Sequence, residues 1–106
     1  MAKYLYVGSY TAQGARGTLT KGGSARREAA RKAVESVGGT IESFYFGFGA
    51  DDFYLIYDAP SAAAAAALAL TAGGSGGLSA RTIPLVTVEE LDAASKMHPD
   101  YSPPGS

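Results

Sequence analysis

The sequence predicts an α+β fold in which a four-stranded antiparallel sheet carries two helices on one face. Two observations predict it. Segments of strand and helix character follow one another in the order β-α-β-β-α-β. The two middle strands form an aromatic-rich hairpin around the Gly-Ala-Asp-Asp turn at residues 49–52. At 106 residues we expect one domain over residues 1–97 and an extended or disordered tail over residues 98–106.

The first strand and helix occupy the N-terminal third of the chain. Residues 4–10 predict a strand, because tyrosines alternate there with aliphatic residues and small residues. The glycine-rich residues 11–23 predict a long loop, with one helical turn around residues 17–21. Ser24 is the predicted N-cap of a helix over residues 25–37, whose alanines and valines form an apolar stripe. A Gly-Gly pair then ends this helix.

The hairpin and a second helix follow. Residues 40–48 and 52–59 predict the second and third strands. Residues 62–72 are almost all alanine, which favours a helix that can lie very close to a sheet. We expect the glycine-rich residues 73–77 to break this helix and form a loop.

The C-terminal part adds a fourth strand and a short helix. Residues 78–86 predict the strand, and Pro84 indicates a sheet edge, a bulge or a strand end. Residues 87–90, Thr-Val-Glu-Glu, are a capping box that predicts a third helix over residues 88–97.

This order of elements is the split βαβ, or ferredoxin-like, plan. Its helices cover one face of the sheet and leave the other face without a partner inside the chain. Strict alternation puts Phe44, Phe46 and Phe48 on one side of the second strand. It puts Ile41 and Tyr45 on the other side, so both faces are apolar. We therefore expect a second copy of the chain to cover the free face and form a dimeric α/β barrel.

Composition argues against several classes of function. A net charge of −1 gives no electrostatic reason to expect nucleic acid or an anionic membrane as a partner. The chain has no cysteine, and its single histidine, His98, cannot build a zinc site alone. The glycine loops do not match phosphate-binding motifs, so we expect no cofactor. Without a signal-peptide pattern or a long apolar run, a cytoplasmic protein is expected.

Tyrosines are the best candidates for a ligand site, because each combines apolar area with a hydroxyl group. Placed between sheet and helices, they would line a pocket for a small apolar or aromatic molecule. Arg27 or Arg81 would neutralise an anionic ligand, although surface ion pairs are the alternative for both. A plain core or a dimer interface is the alternative for the tyrosines. The candidate ligand-binding residues are Tyr6, Tyr10, Arg27, Tyr45 and Tyr54.

The adjacent Asp51 and Asp52 are the only paired carboxylates near the hairpin turn. Neighbouring residues at the start of a strand point to opposite faces, so this pair is poorly placed to share a proton or a metal ion. Aspartate is also typical of hairpin turns. Asp52 enters the sheet with the third strand, so it is a candidate acid or base together with Tyr45.

Short motifs occur along most of the chain in a fixed order. They are Tyr4-Leu5, Ser9-Tyr10-Thr11, Arg26-Arg27, Gly38-Gly39, Glu42-Ser43-Phe44-Tyr45-Phe46, Phe48-Gly49, Asp52, Ala59-Pro60 and Thr82-x-Pro84-Leu85. With them, residues 3–92 resemble the GYD-domain family. The resemblance implies a ferredoxin-like fold of the dimeric α/β-barrel kind, in a family largely without an assigned biochemical role. The family signature has a tyrosine where this chain has Asp51, whereas Gly49 and Asp52 match.

Three functions remain open at this point. The leading hypothesis is a homo-oligomeric protein that binds a small apolar or aromatic molecule. A cofactor-free isomerase or monooxygenase is the second, by analogy with other dimeric α/β barrels. Buried tyrosines and Asp52 favour that hypothesis, and the lack of a histidine within the predicted barrel counts against it. The third is a purely structural assembly subunit.

Overall fold

The computed structural model describes residues 1–105, so Ser106 of the predicted tail lies outside the described residues. The four strands form one antiparallel sheet in the order β2-β3-β1-β4, which confirms the α+β, ferredoxin-like prediction. The elements are β1 (Ala2–Tyr10), α1 (Ala12–Ser36), β2 (Thr40–Phe46), β3 (Phe53–Ala59), α2 (Ala62–Gly74), β4 (Leu78–Leu85) and α3 (Val88–Ser95).

Helix α1 is much longer than predicted. It begins at Ala12, directly after β1, so the predicted loop over residues 11–23 is wrong. Thr11 caps the helix, because its Oγ1 accepts a hydrogen bond from the backbone N–H of Gly14 at 3.3 Å. Ser24, the predicted N-cap, lies inside the helix instead.

A kink divides α1 into two segments at Gly22. This residue has φ 83° and ψ 174°, a conformation that glycine adopts without steric cost. The other glycines of residues 11–23 do not take positive φ, and they accept helical geometry. The loop prediction failed because it relied on the low helix propensity of glycine. Here a helix cap and tertiary contacts override that propensity.

The remaining boundaries differ by only a few residues. Strand β2 ends at Phe46 rather than at residue 48, and helix α3 ends at Ser95 rather than at residue 97. Helix α2 continues through the first two glycines of residues 73–77. The capping box on α3 is confirmed, with Thr87 and Glu90 bonding each other's backbone N–H groups.

A β-bulge in β2 changes which side chains face the core. Ile41 pairs with Tyr57, but Ser43 pairs with Ile56, so Glu42 is an extra residue. Ile41 therefore packs against the same core as Phe44. The prediction that Ile41 shares a face with Tyr45 is wrong, because strict alternation does not survive a bulge.

The core lies between the sheet and the two long helices. Tyr4, Leu55 and Tyr57 rise from the sheet and pack with Val34 of α1 and Ala65 of α2. The rings of Tyr4 and Tyr57 stack with their centroids 5.6 Å apart. We call this side of the sheet the covered face.

The opposite side, which we call the open face, has neither α1 nor α2 on it. It carries Leu5, Val7, Tyr45, Tyr54, Ile56, Arg81 and Ile83. Val7 is nevertheless only 2% exposed, because Tyr54 and Arg81 stand beside it on the adjacent strands.

The C-terminal part projects from this two-layer body. The chain measures 56 × 32 × 22 Å with a radius of gyration of 16.7 Å. A compact chain of this length has a radius of gyration of about 13 Å. Residues 88–105 are exposed throughout, which accounts for the extra length.

Candidate functional site

Two adjoining cavities open on the helix side of the sheet. The larger one, of about 330 Å³, lies between the covered face and the helices. Its floor consists of side chains from all four strands: Tyr6, Tyr10, Phe44, Phe53, Leu55, Tyr57 and Leu78. Its walls come from α1 and from α2 with the residue that follows it: Arg26, Ala29, Ala30, Ala33, Val34, Leu68, Thr71, Ala72 and Ser75. Alanine side chains are too short to fill the space above the rings, so the alanine-rich helices leave the cavity open.

The floor is rich in aromatic side chains. Phe53, which is buried, lies between two tyrosines: its ring centroid is 5.8 Å from that of Tyr6 and 5.2 Å from that of Tyr10. On the neighbouring strand β2, the ring centroids of Phe44 and Phe46 are 4.8 Å apart. Rings held at such distances and tilts offer a flat apolar ligand both faces and edges to pack against.

Phenol groups supply most of the polarity of the floor. Burial raises the pKa of the Tyr6 phenol. Burial also raises the pKa of Tyr57, with a smaller contribution from Tyr4 and Tyr6 beside it. Both phenols therefore stay protonated at neutral pH and can donate a hydrogen bond. No hydrogen bond among residues 1–105 engages the hydroxyl of Tyr6, Tyr10 or Tyr57.

A smaller cavity of about 260 Å³ adjoins the larger one. It lies between the first segment of α1 and the loop after α2, and it has a polar lining that includes Gln13, Thr18, Lys21 and Arg26. Two hydrogen bonds tie its walls together: the backbone N–H of Thr11 donates to Gly77 O at 3.0 Å, and the Thr11 hydroxyl donates to Gly76 O at 2.8 Å.

The structure brings only part of the predicted ligand site together. Tyr6 and Tyr10 line the larger cavity. Arg27 does not line it, whereas the preceding residue, Arg26, does. Tyr45 and Tyr54 are a cross-strand pair on the open face, on the other side of the sheet.

The sequence analysis missed several lining residues. For one of them, Arg26, the sequence does contain a pattern that predicts its position beside the cavity. Arg26 lies three, four and seven positions before alanines of the apolar stripe of α1, namely Ala29, Ala30 and Ala33. Residues at these spacings share one side of a helix, whereas the next residue is rotated by about 100°. Helical phase therefore distinguishes Arg26 from Arg27.

Asp52 serves the backbone at the hairpin. Its carboxylate accepts a hydrogen bond from the backbone N–H of Tyr10 at 2.9 Å, and its own N–H donates to Gly8 O at 2.7 Å. Asp51 lies 3.5 Å from Arg81 as an ion pair. Neither aspartate lines the larger or the smaller cavity, and no other Asp, Glu or His among residues 1–105 lines either of these two cavities.

Two further properties of residues 1–105 bear on possible partners. No three His, Asp or Glu side chains converge there in a way that could hold a metal ion. None of the helices in that range has the length and apolar character needed to cross a membrane.

Comparison with known proteins adds the family. No curated protein and no solved structure matches this chain. The family model described as the GYD domain matches residues 4–95, a span that contains β2, β3, β4, all but the first two residues of β1, and the helices that enclose both cavities. With its fold, its motifs and this match in agreement, the chain belongs to the GYD-domain family.

Proposed function

We propose that this protein binds a small apolar or aromatic molecule in the larger cavity, and that it does so as a homodimer. The observation that carries the proposal is the aromatic floor beneath an unfilled space of about 330 Å³. This volume lies within the range of about 300–1,000 Å³ typical of ligand pockets. Mostly apolar walls with a few hydroxyl groups are also typical of such pockets.

The lining favours binding over acid–base catalysis. An isomerase or a monooxygenase without a cofactor needs a group that accepts a proton from the substrate. Among residues 1–105, the titratable side chains lining the larger cavity are tyrosines and one arginine. The raised pKa of Tyr6 and Tyr57 makes these two phenols poor bases at neutral pH. The carboxylate of Asp52 is engaged by the Tyr10 backbone instead.

The open face supports the homodimer. Its centre is apolar, with Leu5, Tyr54, Ile56 and Ile83 around the buried Val7 on β1, β3 and β4. Large apolar patches on a sheet are characteristic of interaction surfaces, and two sheets pack face to face at about 10 Å. A second copy presents the same patch, so an isologous contact matches apolar centre to apolar centre.

Charges at both ends of this patch are already paired within the chain. Lys3 donates to Glu42 at 2.6 Å and to Asp58 at 3.1 Å at one end. Arg81 faces Asp51 at the other end. A second copy can therefore cover the apolar centre without leaving an unpaired charge at its rim, which is the arrangement of a stable interface.

Binding is tested with 2-naphthamide, a flat neutral probe, by titration followed through the naphthalene fluorescence. We expect saturable binding to the natural protein and at least a tenfold loss in Leu68→Trp, which fills the cavity from α2. Leu70→Trp is the matched control, since Leu70 is on the same helix but is 77% exposed. Equal affinity in both variants, or no saturable binding to the natural protein, would contradict a ligand site here.

The homodimer is tested by size-exclusion chromatography with light scattering. We expect a dimer at micromolar concentration and a folded monomer for Tyr45→Asp, which places a charge on the open face. Leu19→Asp is the control, because Leu19 is 86% exposed on α1 and away from that face. A monomeric natural protein contradicts the dimer. A dimer that binds no probe would instead favour the hypothesis of a purely structural assembly subunit.

A further inference from the structure

We propose that the ligand is an amphipathic anion, whose apolar body occupies the larger cavity and whose single anionic group, such as a carboxylate, is bound by Arg26 in the smaller cavity. This inference rests on the proposed function for the larger cavity. The inference goes beyond that proposal because it names the chemical class of the ligand and the residue that selects this class.

The two cavities form one continuous site. Four residues line both of them: Tyr10, Arg26, Ser75 and Leu78. A ligand can therefore extend from the aromatic floor into the smaller cavity without crossing a wall. Arg26 stands at the junction, where an apolar body and an anionic group would meet.

Polarity changes sharply from one cavity to the other. The larger cavity is surrounded mainly by aromatic rings and methyl groups. The smaller one is lined by the amide of Gln13, the hydroxyl of Thr18 and the two cations Lys21 and Arg26. Within residues 1–105 both charged side chains of its lining are positive, so the local field attracts an anion.

Among residues 1–105, three arginines have no acidic partner, and of these Arg26 is partly buried whereas Arg16 and Arg27 are exposed. Arg31, on the same helix, is bound by Glu28 and Glu35, and Arg81 is paired with Asp51. No acidic side chain of residues 1–105 pairs with Arg26 or Lys21. Arg26 is nevertheless partly buried, and withdrawing an unpaired guanidinium from water is costly. An anionic ligand removes that cost, and the planar guanidinium matches a carboxylate with two parallel hydrogen bonds.

Backbone packing holds the smaller cavity in shape. A methyl group at Gly14 would collide with the carbonyl oxygen of Gly77, so the first turn of α1 and the loop after α2 are in close contact. The two hydrogen bonds of Thr11 with Gly76 and Gly77 fix the same junction. A preformed site loses less entropy on binding than one that must be ordered by its ligand.

The test compares 2-naphthoate with 2-naphthamide, which share a ring and differ in charge. We expect the natural protein to bind the naphthoate about tenfold more tightly, as a charge-assisted contact implies. Arg26→Gln should abolish this preference, so that the two probes bind this variant with equal affinity. Arg27→Gln is the matched control, because it removes the same charge one position away, outside the cavity lining. A thermal melt establishes that both variants are folded.

Each outcome separates the two proposals. Equal affinity of the natural protein for the two probes overturns the proposal of an anionic ligand. The larger cavity would then still be a binding site for apolar molecules. Binding of neither probe overturns the proposed function itself. A preference that survives in Arg26→Gln, or that disappears equally in Arg27→Gln, overturns the assignment to Arg26. A preference that falls as salt is raised supports an ionic contact.

Discussion

The covered and open faces of the sheet carry similar side chains but differ greatly in exposure. Tyr57, on the covered face, is 2% exposed, whereas Tyr45, on the open face, is 70% exposed. Both belong to the same hairpin, and each pairs with another tyrosine on a neighbouring strand: Tyr57 with Tyr4, and Tyr45 with Tyr54. The difference shows that a high aromatic content predicts that a strand is buried. It does not predict which of the two faces of the strand the same chain covers.

The two faces also treat polar groups differently. The covered face holds the protonated phenols of Tyr6 and Tyr57, two residues that line the larger cavity. The open face holds ionised side chains that are paired with each other at its two ends. Phenols without partners are suited to a ligand that supplies hydrogen bonds, and paired charges are suited to the rim of an interface.

The largest expected effect contrasts one side chain from each face. Leu55→Ala, on the covered face, should lower the free energy of unfolding by about 2–5 kcal/mol, since it leaves a cavity in the core. Tyr45→Ala, on the open face, should change the stability of the monomer by at most about 0.5 kcal/mol. Urea denaturation measures both changes.

Protein concentration sharpens this contrast. The loss in Leu55→Ala should be present at every concentration, whereas any loss in Tyr45→Ala should grow as the concentration rises and dimers form. A large loss in Tyr45→Ala that does not depend on concentration would show that the open face is stabilised from within the chain.

A smaller effect is expected at the hairpin turn, where two adjacent carboxylates have different partners. Asp52→Ala leaves the backbone N–H of Tyr10 without its acceptor and should cost about 1–3 kcal/mol. Asp51→Ala removes only an ion pair with the exposed Arg81 and should cost about 0–1 kcal/mol. Probe binding should be unchanged in both variants. Loss of probe binding in a folded Asp52→Ala would instead support a direct role for this carboxylate.

The smallest expected effect is the response of the covered face to alkaline pH. The folded-state pKa values of Tyr6 and Tyr57 are raised above 10.0, so the neutral phenols favour the folded state. This contribution is complete below pH 10.0 and is lost as the pH rises through the folded-state pKa values. Urea midpoints measured across that range should fall less in Tyr57→Phe than in the natural protein. Parallel curves would show that ionisation of Tyr57 is not linked to folding.

Local patterns predicted most of the fold and a minority of the candidate site. Period-two alternation located the four strands, and the capping box located α3. The start of α1 and the bulge at Glu42 were missed, because both depend on contacts with other elements. Of the five predicted ligand residues, Tyr6 and Tyr10 line the larger cavity.

The sequence by itself determined the order of the elements, their approximate ends apart from the start of α1, and the family, because caps, periodicity and motifs are properties of neighbouring residues. Only the tertiary structure decided that Tyr45 and Tyr54 lie on the face away from the cavity, and that an open cavity lies beside Arg26. The first outcome depends on which face of the sheet the helices cover, and the second depends on how closely the helices approach the sheet. Both are set by packing between residues far apart in the chain, which no local pattern encodes.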